Sequence, residues 1–305
     1  MANVRAADFF GQDGFNFSVV LDNALSFAFY DNEPFRYWGT KYRDAFGIVF
    51  EEDGVSLNMQ FAGANILAEG DAGESTDNAM IGGTVTGWFL EYWDGENWNK
   101  MWAVQKISID AAEITAAMET GSTKDDVQLL QKMFSGADTF KLSSSDDVAL
   151  GYKGNDMMKG RDGSDLLKGG KGDDTIMGGS KSDALFGQRG DDTIGGGKGA
   201  DLIVGGAGDD ELTGGLGQDV IAFTDAAGRD KVMDFENDVD TLAFHAGLWD
   251  GADLTRKQVV NEFADVVKGR VVFDFGDQEI VMRGIKDADI LINDIRIFDD
   301  GDTIA

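Results

Sequence analysis

The pattern of apolar and polar positions divides the chain into three parts. In the first part, short runs of alternating apolar and polar residues, separated by Gly, Asp and Asn turns, predict strands. These strands are Phe15–Val20, Ser26–Tyr30, Phe46–Phe50, Ser56–Phe61, Thr84–Tyr92 and Trp102–Ile109. A capping-box pattern predicts a helix starting at Asp110, and a second helix is expected from Ser122 to Phe134. We therefore expect a β-sandwich-like or β-rich α+β domain over residues 1–130.

In the second part a nine-residue period runs from Gly151 to Ala222 without insertion or deletion, and two degenerate units starting at Met133 and Leu142 keep the same phase. Position eight of every unit is apolar and position four is mostly Gly. Position six is always Asp, at Asp138, Asp147, Asp156, Asp165, Asp174, Asp183, Asp192, Asp201, Asp210 and Asp219. A disordered Gly/Asp-rich linker has a similar composition but would not keep a phase over ten units.

The chemistry of one unit predicts its shape. Glycines at positions one, two and four permit positive φ and a tight turn with exposed carbonyls. The last three residues read as a short strand with one inward side chain, so two units per coil give two parallel sheets with a thin apolar seam. So small a core does not offset the conformational entropy lost by so many glycines. The in-register aspartates indicate that a cation closes the turns.

The third part, residues 223–305, loses the nine-residue phase. Alternation predicts strands at Lys231–Phe235, Thr241–Phe244, Arg270–Phe275 and Glu279–Arg283. A helix is expected from Leu254 to Lys268, capped by Asp253 and stopped by Gly269. We expect a β-rich cap with one helix, because a solenoid needs its last strands protected.

The composition of the chain limits which partners and which metals it can bind. The formal net charge is −30, which disfavours nucleic acid and anionic lipid as partners. The chain has no Cys and a single His, His245, so metal chemistry must use oxygen ligands, which favours calcium or magnesium. No apolar run is long enough for a transmembrane segment, and the N-terminus lacks the apolar region of a cleavable signal peptide.

The repeat resembles the RTX repeat of bacterial proteins exported by type I secretion, which form a calcium-binding parallel β-roll. In that family each calcium lies between turns n and n+2 on one side of the roll. Asp at position six of both turns, the carbonyls at positions two and four of the first turn, and those at positions one and three of the second supply six oxygens.

Carried onto this chain, the resemblance implies about six to eight Ca²⁺ ions. One site joins Gly170, Gly172 and Asp174 to Gly187, Arg189 and Asp192; the next joins Gln188, Gly190 and Asp192 to Gly205, Ala207 and Asp210; a third, on the other side, joins Gly197, Gly199 and Asp201 to Gly214, Leu216 and Asp219. The other implied metal ligands are Asp138, Asp147, Gly154, Asp156, Gly163, Asp165, Gly169, Lys171, Gly178, Gly179, Asp183, Gly196, Lys198, Gly206 and Gly208. Lys181 and Ser145 stand at position four, where positive φ is expected to strain them.

The segment Gly276–Phe298 resembles the C-terminal cap and secretion region of the same family, which addresses the chain to a type I secretion channel. A plain cap on the open end of the roll is the alternative, and both can hold together. The resemblance implies a secreted protein, extracellular or at the cell surface, that folds where calcium is near millimolar.

The first part leaves the biological role open. Trp38, Trp88, Trp93, Trp98 and Trp102 form either a sugar-binding platform or ordinary sheet packing. No His-Glu-x-x-His or Gly-x-Ser-x-Gly motif is present, which excludes a zinc protease of this family and argues against a serine hydrolase. The leading hypothesis is a non-enzymatic adhesion, surface or matrix protein, partnered by calcium, the type I secretion machinery, and either polysaccharide or further copies of itself. The alternative is a carbohydrate-binding protein or carbohydrate-active enzyme.

Overall fold

A computed structural model of the chain describes residues 3–6, 27–31, 35–37, 40–42, 44–52, 55–68, 80–93, 98–110, 132, 134–142, 144, 146–224, 226–249 and 251–299. The chain divides into two compact units, one formed mainly by residues up to Leu142 and the other mainly by residues from Ser143 onward. No described helix is long and apolar enough to cross a membrane.

The strands of the first unit are β1 (Asn3–Ala6), β2 (Phe27–Asp31), β3 (Phe35–Tyr37), β4 (Thr40–Tyr42), β5 (Asp44–Glu52), β6 (Val55–Ala68), β7 (Met80–Trp93), β8 (Trp98–Asp110) and β9 (Thr139–Lys141). They form a sheet in the order β2-β5-β6-β7-β8-β1-β9, antiparallel except where β1 meets β9, and a separate hairpin of β3 and β4. Five predicted strands coincide with β2, β5, β6, β7 and β8. The predicted strand Phe15–Val20, the helix at Asp110 and most of the helix from Ser122 lie outside the described residues.

The repeat region forms two parallel sheets that take strands alternately along the chain. The strands are β10 (Val148–Leu150), β11 (Met157–Asp162), β12 (Leu166–Lys171), β13 (Thr175–Ser180), β14 (Ala184–Arg189), β15 (Thr193–Lys198), β16 (Leu202–Ala207), β17 (Glu211–Leu216) and β18 (Val220–Phe223). Even-numbered strands form one sheet and odd-numbered strands from β11 form the other. The predicted parallel β-roll is confirmed as a solenoid of about six turns within residues 139–244.

Strands of the roll are longer than the three residues expected from the sequence. Each full strand has six residues and runs from position seven of one unit to position three of the next, as in Thr175–Ser180. The glycines continue the ladder, because Gly179 pairs with Gly197 as regularly as Ile176 pairs with Ile194. Only positions four to six remain as turn.

The core of the roll is the row of position-eight side chains. From the unit at Gly151 onward they are almost fully buried, at Met158, Leu167, Ile176, Leu185, Ile194, Ile203, Leu212 and Ile221. The position-one glycines, such as Gly187 and Gly196, are buried as well. Each strand therefore presents one apolar side chain and one glycine to the interior.

Parallel pairing continues after Ala222, although the nine-residue phase ends there. The later strands are β19 (Gly228–Val232), β20 (Thr241–His245), β21 (Ala264–Val267), β22 (Arg270–Asp274), β23 (Gln278–Met282) and β24 (Ile295–Phe298). β17, β19 and β23 pair in parallel, as do β18, β20 and β24, and β21 and β22 complete an antiparallel edge. The C-terminal region thus extends both sheets of the roll.

Helix α1 (Arg256–Phe263) is shorter than the predicted Leu254–Lys268, and Thr255 rather than Asp253 caps it, in a capping box with Gln258. It ends early because Ala264–Val267 pairs as a strand with β22. Beside it an aromatic group packs around Phe275, which lies 4.9 Å from Phe263 and 5.4 Å from Phe244 between ring centroids. These rings join helix α1 to strand β20 of the C-terminal region.

Candidate calcium sites

The position-six aspartates stand in two rows, one along each edge of the roll. The first row contains Asp156, Asp174, Asp192 and Asp210, and the second contains Asp147, Asp165, Asp183, Asp201 and Asp219. Their side chains are all buried, at 0–3% exposure. Isolated carboxylates at such depth are rare unless they are paired or bind a metal.

From Asp165 onward, one oxygen of each row carboxylate joins neighbouring turns of a row. Asp192 Oδ1 accepts a hydrogen bond from the Asp174 N–H at 2.7 Å, and Asp210 Oδ1 accepts one from the Asp192 N–H at 2.8 Å. The second row repeats the contact, since Asp219 Oδ1 accepts from the Asp201 N–H at 2.9 Å. Each row carboxylate from Asp165 onward is therefore held in the gap between its own turn and the turn two units earlier.

The other carboxylate oxygen, Oδ2, is buried and accepts no hydrogen bond from the described residues. This holds at Asp165, Asp174, Asp183, Asp192, Asp201, Asp210 and Asp219. A buried carboxylate oxygen without a donor costs several kcal/mol in proteins, roughly, unless a charge of opposite sign compensates it. Seven such oxygens in register fit a series of cations.

The position-one glycines show where these oxygens point. A Cβ added to Gly187 would lie 2.6 Å from the Gly205 carbonyl oxygen and closer still to Asp192 Oδ2. The same two kinds of oxygen surround Gly196, where they belong to Gly214 and Asp201. Position one does not adopt positive φ, contrary to the expectation from sequence. Glycine is required there for space, because the carboxylate lies directly over it.

The other predicted ligands face the same gaps. A Cβ at Gly190 would collide with the Gly172 carbonyl oxygen, so the position-four carbonyl points toward the turn two units later. The position-three carbonyl points back, and Arg189 O accepts from the Gly172 N–H at 2.9 Å. A carbonyl oxygen has a second lone pair for a metal. The structure thus brings together, turn by turn, the residue positions that the sequence predicts, while their coordination of calcium stays a prediction.

Among the described residues of the roll, four that are not glycine adopt positive φ. Lys181 has φ 75°, as predicted for position four, and Ser145 lies outside the described residues. Tyr152, Arg161 and Gln188 have φ of 68°, 87° and 84° at position two, where no strain was predicted. The sequence does indicate this strain, because the other full units carry Gly at position two.

Burial raises the pKa of the row carboxyls at Asp165, Asp174, Asp183, Asp192, Asp201, Asp210 and Asp219, and neighbouring carboxylates raise the pKa of all of these except Asp201 further. For Asp192, burial and then the charges of Asp210 and Asp174 raise the pKa to about 8 against the opposing Asp174 N–H hydrogen bond. Burial likewise raises the pKa of Asp165 to about 7 and that of Asp174 to about 6. A divalent cation would relieve both causes, because it supplies positive charge within the gap.

The donor set is oxygen only, which suits calcium or magnesium. No cluster of three or more His, Cys, Asp or Glu side chains with metal-binding geometry occurs in the described part of the chain. The predicted sites do not need one, since each takes two carboxylates and four carbonyls.

The position-five residues form a second ladder of hydrogen bonds, which was not predicted from the sequence. On the outside of the first row, the Asp191 N–H donates to Asp173 Oδ1 and the Asp209 N–H donates to Asp191 Oδ1, at 3.0 and 2.9 Å. These side chains are exposed, so they connect the turns but do not face the gaps. An acidic or amide residue at position five of alternate units was the sequence signal.

Comparison with known proteins agrees with this geometry. The RTX calcium-binding nonapeptide repeat matches four times, at residues 134–167, 159–194, 168–203 and 186–221. The repeats of this chain are RTX repeats. RTX repeats bind calcium, so the roll is a calcium-binding element of this chain.

Among solved structures, the extracellular lipase LipA from Serratia marcescens is similar, with 20% identity and a TM-score of 0.27. The match covers 53% of this chain and 40% of the lipase chain, so this chain spans less than half the length of that protein. No curated protein matches the chain.

Proposed function

We propose that this chain is a secreted calcium-binding RTX protein whose β-roll folds when it binds calcium outside the cell. The observation that carries the proposal is the series of buried Oδ2 atoms in the two aspartate rows. Without a cation, the folded roll must either hold uncompensated carboxylates or bind protons on them. With calcium, the same oxygens become ligands.

The negative charge of the chain makes the folded roll much less stable without calcium than with it. The chain carries a formal net charge of −30, and six Ca²⁺ ions would contribute twelve positive charges in the roll. Where calcium is scarce, as inside a cell, repulsion and the conformational entropy of glycine favour the unfolded roll. At millimolar calcium, extracellular sites with Kd of ~10⁻⁴–10⁻³ M fill, and binding is coupled to folding.

Six to eight ions are expected, one for each pair of turns separated by eighteen residues. Calcium is preferred to magnesium, because four neutral carbonyls and two carboxylates in a backbone cradle replace the whole hydration shell. Magnesium gives up its waters reluctantly.

Circular dichroism of the full chain tests the proposal. We expect little β signal from the roll in a calcium chelator, a cooperative gain between ~0.1 and 1 mM calcium, and a much smaller gain with magnesium. Full β content in chelator would overturn coupled folding. Export is tested separately: deletion of residues 276–305 should abolish release from a host that carries a type I exporter, and undiminished release would refute that role.

We further propose a non-enzymatic role in adhesion, at the cell surface or in an extracellular matrix. In the predicted repeat sites, calcium is bound by two carboxylates and four carbonyls of the chain and serves to fold the roll. Calcium-dependent multimers that grow with protein concentration would support this role. Binding of the full chain in calcium to one sugar class on a glycan array, or cleavage of a polysaccharide, would instead support the carbohydrate-directed alternative.

A further inference from the structure

The first aspartate row continues beyond the RTX repeats. Asp230 lies twenty residues after Asp210 and outside the matched repeats, which end at residue 221. Nevertheless Asp230 Oδ1 accepts from the Asp210 N–H at 3.1 Å, as Asp210 Oδ1 accepts from the Asp192 N–H. Asp230 is 1% exposed, so it is buried as deeply as the aspartates of the repeats.

The backbone around Asp230 also repeats the turn. Ala227 O accepts from the Gly208 N–H at 3.0 Å, the same contact that Ala207 O makes with the Gly190 N–H at 2.9 Å. A Cβ at Gly228 would meet the Gly208 carbonyl oxygen, as one at Gly208 would meet the Gly190 carbonyl oxygen. Hydrogen bonds across the gap therefore define a further turn that the spacing along the chain conceals.

The gap between these two turns contains a buried oxygen that has no donor. Asp210 is 0% exposed, and its Oδ2 accepts no hydrogen bond from the described residues. It lies over Gly205, where a Cβ would collide with it, in the same position as Asp192 Oδ2 over Gly187. The Gly206 and Gly208 carbonyls, Ala227 O, Asp210 Oδ2 and Asp230 Oδ1 occupy the positions of five of the six oxygens of a repeat site.

The next gap is different, because an amide takes the place of a cation. Gln278 Nε2 donates to Asp230 Oδ2 at 3.0 Å, and Gln278 is 4% exposed. The turn contact is otherwise present, since the Gly228 N–H donates to Asp277 O at 3.0 Å. A neutral donor thus pairs with the last outer carboxylate oxygen.

We propose that the first row holds a further Ca²⁺ between the Gly206–Asp210 and Ala227–Asp230 turns, and that Gln278 ends the row by pairing with the outer oxygen of Asp230. This inference rests on the proposed calcium function and adds to it a site formed outside the repeats. The row therefore ends on a residue from β23, more than forty positions further along the chain.

Native mass spectrometry or equilibrium dialysis of the full chain in calcium tests the site. Asp230→Asn should lower the number of bound Ca²⁺ ions by one. Asp209→Asn is the control: it removes the same charge beside Asp210, but its carboxylate is exposed and accepts from the Arg229 N–H instead of facing the gap. It should bind as many ions as the unmodified chain. An unchanged count in Asp230→Asn, or an equal loss in both variants, would overturn the site.

Two outcomes separate this inference from the function on which it rests. If the unmodified chain binds no calcium, the proposed function fails; if it binds calcium and Asp230→Asn binds as much, only the additional site fails. Should Asp230→Asn not fold, hydrogen exchange of the unmodified chain decides. Amides at residues 228–231 should gain protection at the calcium concentration that protects residues 190–211, and protection of 228–231 in chelator would contradict the site.

Discussion

Two adjacent glycines in β15 offer a sharp test of the site geometry. Gly196 stands at position one, and its added Cβ would lie 2.6 Å from the Gly214 carbonyl oxygen and nearer to Asp201 Oδ2, both predicted ligands. Gly195 stands at position nine, and its Cβ would meet only the Met177 side chain, at 3.2 and 3.3 Å. Met177 is 45% exposed and can move aside.

The expected loss of stability in Gly196→Ala follows from these contacts. In Gly196→Ala the two turns must separate or the Asp201 carboxylate must turn out of the gap, because real Cβ contacts under 3.0 Å essentially never occur. Overpacking of this kind costs about 1–3 kcal/mol. At roughly 2–4 °C per kcal/mol for a domain of this size, the Tm in calcium should fall by roughly 2–12 °C. The variant should also bind one ion fewer.

Differential scanning calorimetry in calcium, with ion counting, provides the assay. Gly195→Ala should keep its ion count and change stability little, with a gain of up to about 1 kcal/mol because alanine restricts the unfolded chain. In chelator the two variants should be indistinguishable. Equal Tm and equal ion counts for both variants in calcium would refute the placement of Asp201 and Gly214 at a cation site.

Three further predictions concern an aspartate shared by two calcium sites, the protonation of the buried carboxyls, and the backbone strain at Lys181. Asp192→Asn should remove two bound Ca²⁺ ions, because Asp192 faces the gaps on both sides, whereas Asp191→Asn should remove none. A loss of only one ion from Asp192→Asn would contradict its role as a ligand shared by two sites. Because burial raises the folded-state pKa of Asp165, Asp174 and Asp192 from 3.8 to about 7, 6 and 8, the metal-free roll should be most stable below pH ~4 and should lose stability as the pH rises through 6–8. Circular dichroism without calcium measures this loss, and the calcium concentration needed for folding should rise over the same pH range, because the protonated folded roll is lost. Lys181→Gly should raise the Tm in calcium by roughly 2–4 °C, since it removes about 1 kcal/mol of strain at φ 75°. The control Lys159→Gly, at a residue whose φ is not positive, should lower the Tm. A lower Tm in both variants would count against strain at Lys181.

The repeat made much of the roll predictable. A fixed phase places Asp192 and Ile194 in the same environment as Asp174 and Ile176, so one unit predicts the next. The alternation of strands between two sheets followed from the same reasoning. The sequence missed the length of the strands, because a backbone ladder through Gly179 and Gly197 leaves no pattern of side chains.

Features that depend on distant pairing were not predictable from local sequence. Asp230 is out of phase with the repeats, and its row is revealed by contacts across the gap, such as its hydrogen bond with the Asp210 N–H. Gln278 has no periodic signal at all, since it reaches Asp230 from forty-eight residues away. Helix α1 ends early because Ala264–Val267 pairs with β22, a tertiary contact that overrides the helical pattern.

Hydrogen exchange measured through the roll tests coupled folding and binding most directly. The backbone amides of Asp156, Asp174, Asp183, Asp192 and Asp201 each donate to the Oδ1 of an aspartate two units later, so their protection reports whether the rows are formed. We expect strong protection of these amides in millimolar calcium, and exchange near the rate of an unfolded chain in chelator or in magnesium alone. Equal protection with and without calcium would contradict the account.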